Sequence, residues 1–251
     1  PTRCRPVPAS LYGFRPRYDH FREKLRPPQS ILVANIALPV LTPYLVEYFS
    51  TAVFEPMRAA CPDEFPYFAE ELADAARGIA LKYFRNLGPI EYKRDGSPVT
   101  AADREAEAVI RQMIAERYPA HGMAGEEHGR VSSDGPWSWV IDPIDGTRSF
   151  ITGRPTFGCL IALLYEHQPV VGIIDMPALN ERWLGVTGKP SLHNGDHCQS
   201  SGRKRVAEAT VFATSIDMFT GSERQQFDRL STAARFRSFG ADCYAYGLLA
   251  S

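Results

Sequence analysis

Several features common in other protein classes are missing from this sequence. The five cysteines, Cys4, Cys61, Cys159, Cys198 and Cys243, are scattered and odd in number, with no Cys-x-x-Cys pair. That argues against a zinc ribbon and a disulfide framework, and favours a reducing compartment, read here as the cytoplasm. No apolar run is clean enough to cross a bilayer. The longest, Ile31 to Val53, carries Asn35, Pro39, Pro43 and Glu47, so no membrane partner is expected. Neither sign of charge is in excess: 28 Lys and Arg face 29 Asp and Glu, a formal net charge of -1, which gives no bulk pull toward nucleic acid. Gly-x-Ser-x-Gly and Gly-x-x-x-x-Gly-Lys-Ser/Thr are both absent, leaving a serine acyl-transfer elbow and a P-loop without local support.

What is present is ordinary in bulk. At 251 residues and 44% hydrophobic content, the chain can bury a core without covalent staples. Its first residues are atypical. Arg3, Arg5, Arg15, Arg17, Arg22, Lys24 and Arg26 face only Asp19 and Glu23, a balance like that of a transit peptide, which makes a plastid the alternative location. A partner-binding arm and translated sequence upstream of a start at Met57 are the competing readings, and we favour the third. Residues 1–60 are accordingly set apart as an extension, 61–180 as an N-terminal α+β half and 181–251 as a C-terminal half, with the change near Pro177 to Arg182.

Apolar residues at Phe68, Leu72, Ala75, Ala76, Ile79 and Tyr83 recur at three and four, which predicts a helix through Phe84 that ends at Gly88-Pro89. A second helix is expected from Ala101 to near Tyr118-Pro119, with Val109, Ile110, Met113 and Ile114 as its buried stripe. Trp139 to Ile141 reads as a short strand. Gly158 to Tyr165 and Val170 to Asp175 read as a hairpin across Glu166-His167-Gln168-Pro169, with further strands at Arg182 to Val186 and Thr210 to Thr214. Thr187 to Arg205 reads as a loop, so His193 and His197 are taken as loop histidines around the Asn194-Gly195-Asp196 turn. A helix is expected over Gln225 to Arg235.

Chemistry concentrates at Asp142-Pro143-Ile144-Asp145-Gly146-Thr147. Two carboxylates three residues apart, at the end of a buried strand, can share a hard cation. Mg²⁺ takes oxygen ligands and keeps several waters, so carboxylates plus a carbonyl such as that of Ile144 suit it. Gly146 and Thr147 then offer N–H groups to phosphate oxygens at a helix start. Each residue also has a bland reading: Asp-Pro and Asp-Gly are turn dipeptides, Glu126 and Glu127 can be solvated loop charges, and Asp103 can be a first-turn helix acid.

Three ordered segments change that balance. Ser97-Pro98-Val99-Thr100-x-x-Asp103, Gly125-Glu126-Glu127, and Trp139 to Thr147 continuing to Phe150, Gly153 and Pro155 resemble the inositol monophosphatase superfamily, over roughly Phe65 to Ser251. The resemblance implies an α+β fold, layered α-β-α-β-α, and a homodimer, for which the sequence offers no interface of its own. It also implies two or three Mg²⁺ ions and a small phosphomonoester substrate. By the same match, Glu126, Asp142 and the Ile144 carbonyl would hold one ion, and Asp142 with Asp145 a second. Asp103 and Thr147 would pair to orient and deprotonate a water, and Asp145, Gly146 and Thr147 would meet the phosphate. Glu127 is expected at most behind the metal ligands, and Lys93, which shares a loop with Asp95, as a surface charge.

The second half bears on substrate. Asn180 to Gly185, Ala213 to Phe219 and Phe239 to Ala250 resemble the histidinol-phosphatase branch, which implies L-histidinol phosphate and a step of histidine biosynthesis. Asp242 fits the demand of an amino alcohol phosphate for an anionic partner, whereas inositol needs neutral hydroxyl partners. A turn or helix-cap aspartate is its bland reading, and Tyr244 and Tyr246 read as packing residues. Family members carry a further segment after the position of Ser251, with an aspartate that completes the second metal site. An incomplete C-terminal layer is therefore expected, and the alternatives are an inositol monophosphatase or other small sugar or nucleotide phosphatase, and a metal- and phosphate-binding fragment with impaired turnover.

Overall fold

A computed structural model describes residues 61–94 and 96–251. The extension assigned to residues 1–60, the run from Ile31 to Val53, the Met57 start and Asp95 lie outside those residues.

Helix α1, Glu64–Tyr83, buries Phe65, Phe68, Ala69, Leu72, Ala73, Ala76 and Ala80, a face spaced at three and four. It ends earlier than the sequence suggested. Phe84 leaves the helix with ψ 122, and Arg85 takes φ 59, so the stop is five residues before Gly88-Pro89. Packing outweighs local punctuation here, because the Phe84 ring turns in to meet Phe157 at 4.8 Å and Phe150 at 5.9 Å between centroids.

A two-residue ladder of β1, Glu91–Tyr92, and β2, Pro98–Val99, leads into helix α2, Ala101–Arg117. Thr100 caps α2 in a reciprocal box with Asp103: the Thr100 side chain accepts from the helix backbone, while Asp103 accepts from the Thr100 N–H at 2.8 Å. The buried stripe is Ala102, Asp103, Ala106, Glu107, Ile110 and Ile114. Val109 and Met113, expected inside, are only half-buried, and two acids stand on the inner face instead.

The centre is an eight-stranded mixed sheet. Its strands are β3, Gly122–Gly125; β4, Gly129–Val131; β5, Trp137–Asp145; β6, Gly158–Tyr165; β7, Gln168–Met176; β8, Glu181–Val186; β9, Leu192–His193; and β10, Asp196–His197. They lie in the order β10-β9-β8-β7-β6-β5-β3-β4, with β3 parallel to β5 and the other pairs antiparallel. Alternation along the strands assigns the two faces. Trp139, Ile141, Ile161, Leu163 and Ile173 pack with α1 and α2, while Val140, Leu160, Ala162, Ile174 and Trp183 face the other way. The β6–β7 hairpin turns at Glu166 and His167, both with positive φ, so β7 begins two residues sooner than expected.

The proposed boundary at 180/181 falls between β7 and β8. These strands pair from Val171↔Val186 to Met176↔Glu181, so that position does not divide two sheets. The stretch expected as a loop from Thr187 to Arg205 holds the β9–β10 hairpin, and His193 lies flat on Trp183 at 4.3 Å instead of in a loop.

Beyond the sheet, β11, Thr210–Ala213, helix α4, Gly221–Ala233, and β12, Phe236–Phe239, form a small β-α-β unit with parallel strands. Helix α5, Cys243–Leu249, then returns to the second face of the sheet, where Cys243 joins Leu160, Ile174 and Trp183. The architecture is α+β, with α1 and α2 over one face of the sheet and α5 over the other. Among the described residues no helix is long and apolar enough to cross a membrane.

Buried charge ties the first layer to the sheet. Asp175, fully buried on β7, accepts from Arg77 of α1 at 2.6 and 3.1 Å and from Arg182 of β8 at 2.7 Å, and Arg182 also reaches Asp74. Loss of one partner from such a cluster costs about 3–5 kcal/mol, because it strands the other charges.

Candidate active site

Strand β5 carries the acidic turn at its C-terminal end. Its register with β6 runs unbroken to Asp142↔Leu160, then breaks and resumes at Asp145↔Gly158, so Pro143 and Ile144 form a bulge between the two carboxylates. Gly146 follows with φ 81, and helix α3, Thr147–Ile151, starts behind it. Glycine is required twice over: the backbone is left-handed, and a Cβ there would lie 2.9 Å from Asp242 Oδ2 and 3.0 Å from the Thr156 carbonyl. The close approach at Gly146 is what brings Asp242 to the acidic turn.

Four acids from three parts of the chain, Asp103, Glu126, Asp142 and Asp145, influence one another here, and Asp242 adjoins Asp145. Asp142 is half-buried as a residue, but its Oδ1 is shut off from solvent and has no hydrogen-bond partner. Burial pushes its carboxyl well above the usual range, and Asp145, Glu126 and Asp103 push it further. Asp145 rises to about 6: burial dominates, the Cys243 thiol holds it down in part, the neighbouring Asp242 raises it, and the Cys243 N–H, donating to Asp145 Oδ2 at 2.6 Å, lowers it a little further. Asp103 is buried and also raised, chiefly by burial, against the hydrogen bonds from Thr100. An orphaned, buried carboxylate oxygen among like charges is an arrangement that a hard cation satisfies.

The donor set is open and not yet a cage. Among the described residues no group of three acidic, histidine or cysteine side chains closes around a common point. Glu126, in the turn between β3 and β4, receives Lys93 Nζ at 2.6 Å, and the same ammonium sits 2.7 Å from Glu127. Lys93, expected as a surface charge, bridges the two carboxylates. Burial disfavours its ammonium, but the bonds to Glu126 and Glu127 more than offset this and hold its pKa above the usual value. The Glu127 side chain is nearly buried beneath this ammonium.

The Asp103–Thr147 pair takes another form. Thr147 Oγ1 donates to the Ile144 carbonyl at 3.1 Å, and Asp103 Oδ2 is taken up by Thr100 N at 2.8 Å and Oγ1 at 2.6 Å. The cap role of Asp103 is thus realised alongside its place among the acids, because one carboxylate oxygen suffices for the cap. Asp242 behaves oppositely. It occupies the cap position of α5 but makes no side-chain cap bond; it accepts from Ser149 Oγ at 3.1 Å, and its backbone sits at φ 46, ψ -133. That conformation is strained for a non-glycine residue. Tyr244 packs on Trp183 and reaches Glu181, as a packing residue would.

A cleft of about 600 Å³ lies elsewhere, at the opposite end of β5 by Trp137, Arg130 and His167. Its lining includes none of Asp103, Glu126, Asp142 and Asp145, so the chemistry and not the concavity locates the site.

A profile of the inositol monophosphatase family matches residues 62–251. The chain belongs to that family. It is 42% identical over 193 residues to the chloroplastic bifunctional phosphatase IMPL2 of Arabidopsis thaliana, covering 75% of this chain and 55% of that protein. Against a histidinol-phosphatase of Chlorobaculum parvum it is 39% identical over 185 residues, covering 73% and 71%. Its fold superposes on a solved inositol monophosphatase of Zymomonas mobilis with a TM-score of 0.67 at 39% identity, covering 76% of this chain and 74% of that one. The chain thus spans about half the length of the Arabidopsis relative. The family is one of metal-dependent phosphatases, and the buried acids lie in the region that matches it.

Their raised pKa values have a thermodynamic sign. Between about pH 4 and 6 the folded chain keeps a proton on Asp145 that the unfolded chain has released, so this group makes the metal-free protein less stable as pH rises through that window. Metal binding needs the ionised form. The rise in melting temperature produced by Mg²⁺ over EDTA is therefore expected to be larger at pH 7 than at pH 5. Scanning calorimetry checks this, and equal shifts at both pH values would contradict it.

Proposed function

We propose that this chain hydrolyses small phosphate monoesters with Mg²⁺, and that its substrate is L-histidinol phosphate, released as L-histidinol and inorganic phosphate. The observation that carries the metal reading is the buried, unpartnered Oδ1 of Asp142 amid Asp145, Glu126 and Asp103. Glu126, Asp142 and the Ile144 carbonyl would hold one ion, and Asp142 with Asp145 a second. Bound there, the ions supply a water of lowered pKa and polarise the phosphoryl oxygens. Asp103 and Thr147 orient and deprotonate the attacking water, while the N–H groups of Gly146 and Thr147 receive phosphate oxygens. Because α3 is only five residues long, these N–H groups act as local donors more than through a helix dipole.

Substrate choice rests on Asp242. Its carboxylate raises the pKa of Asp145, so the two acids repel. An ammonium on the substrate relieves that repulsion and pairs with Asp242, which a neutral polyol cannot do. Both histidinol-phosphatases and inositol monophosphatases stand among the relatives, and inositol monophosphate is the competing substrate. Phosphate release with Mg²⁺ from a panel of histidinol phosphate, inositol monophosphate and a sugar phosphate tests the proposal. The expected result is the highest kcat/KM on histidinol phosphate. A preference for inositol phosphate would overturn the substrate, and release that is indifferent to Mg²⁺ would overturn the chemistry.

A further inference from the structure

We infer that Glu107 is a positioning residue for the metal site, holding Glu126 in place through the backbone that follows it. The inference rests on the metal reading above. Glu107 lies one helical turn after Asp103 on the inner face of α2, and its side chain is fully buried. Its Oε2 accepts from the Glu127 N–H at 2.8 Å, and its Oε1 from the His128 N–H at 3.1 Å and Arg111 Nε at 2.7 Å. Arg111 in turn donates to the Gly129 carbonyl. Residues 127, 128 and 129, the three that follow Glu126, are therefore all tied to one Glu–Arg pair on α2.

The fit is close on the other side as well. A methyl group at Gly125 would collide with the Glu107 carboxylate, so the residue before Glu126 must be glycine for the carboxylate to reach the turn. Packing α2 on β5 does not call for this: Ala102, Ala106, Ile110 and Ile114 supply that face. A buried carboxylate is costly unless it is both paired and hydrogen-bonded, and here every bond is spent on the Glu126 turn or on Arg111. Helix α2 thus contributes two acids four residues apart: Asp103 faces the other carboxylates, and Glu107 braces the loop that brings Glu126 to them.

The test is E107Q, which keeps the volume but leaves one acceptor oxygen for three N–H donors, the Glu127 and His128 amides and Arg111 Nε. Outer partners of metal ligands change affinity by about 10- to 100-fold. In titration calorimetry of the full chain with Mg²⁺ alone, E107Q is expected to raise the dissociation constant about tenfold. The Mg²⁺ concentration for half-maximal turnover should rise with it, and the lost rate should return as Mg²⁺ is raised. A folded E107Q that binds Mg²⁺ as the parent does would overturn the role. The parent protein gives a second measurement that does not depend on the variant folding. Metal binding and the hold on the turn are linked, so Mg²⁺ should slow hydrogen exchange at the Glu127 and His128 amides more than in α1. Exchange there that ignores Mg²⁺ would also overturn the role. A parent chain that binds no Mg²⁺ would instead overturn the metal reading, and the positioning role with it.

Discussion

Asp142→Asn is expected to abolish magnesium-dependent phosphate release while making the metal-free protein more stable. The two effects have one origin. Asp142 holds a buried oxygen without a partner, next to Asp145, Glu126 and Asp103, so its charge costs folding free energy until a cation is present. Asparagine keeps the shape, removes the charge and adds an N–H donor for a neighbouring carboxylate. Because Asp142 would serve both proposed ions, losing several kcal/mol of charge stabilisation corresponds to a fall in kcat/KM of about 10³-fold or more. In EDTA the melting temperature should rise, by about 2–4 °C for each kcal/mol of repulsion relieved. The rise normally produced by Mg²⁺ should largely vanish. Phosphate-release kinetics and calorimetry with and without metal check both halves, and retained turnover would refute a two-ion site centred on Asp142.

The second large effect concerns selectivity. Asp242→Asn should lower kcat/KM for histidinol phosphate by roughly 10- to 100-fold, the range expected for losing a charge-assisted hydrogen bond of about 1.5–3 kcal/mol. Turnover of inositol monophosphate should hold or improve, because the substitution also removes a repulsive neighbour of Asp145. The ratio of the two kcat/KM values is the decisive quantity, since a variant that is simply damaged loses both alike. An unchanged ratio would remove Asp242 from substrate recognition.

Part of the candidate site was legible because it is local. Asp142 and Asp145 share one turn, and Glu126 and Asp103 each sit in a short motif with its own turn or cap chemistry. What the sequence hid depends on packing across elements. Glu107 carries no motif of its own in the sequence, although its spacing of four from Asp103 puts both on one face of α2. Lys93 looked like a surface charge, because only the fold brings it between Glu126 and Glu127. Ser149 was passed over for want of any sign that Asp242, 93 residues away, would lie against it.

The fold follows the same division. Strands β6 and β7 are near-continuous apolar runs, buried on both faces, on either side of a short turn with two residues of positive φ, so the hairpin could be read directly. Strand β12, Phe236–Phe239, could not, because all four of its residues are exposed and leave no inside-outside pattern. The end of α1 was misplaced because Phe84 leaves the helix to fill a pocket made by residues far along the chain.

The hydrogen bond from Cys243 to Asp145 has a consequence for redesign. Asp242, the residue assigned to the substrate, and Cys243, whose N–H grips a proposed metal ligand, are neighbours at the start of α5. Selectivity and metal affinity therefore share a lever arm: a substitution that tilts the first turn of α5 to admit a bulkier ester also moves the donor on Asp145. Variants selected here for a new substrate should carry an altered demand for magnesium, and a screen at one fixed metal concentration would mistake that demand for a failure to bind the ester.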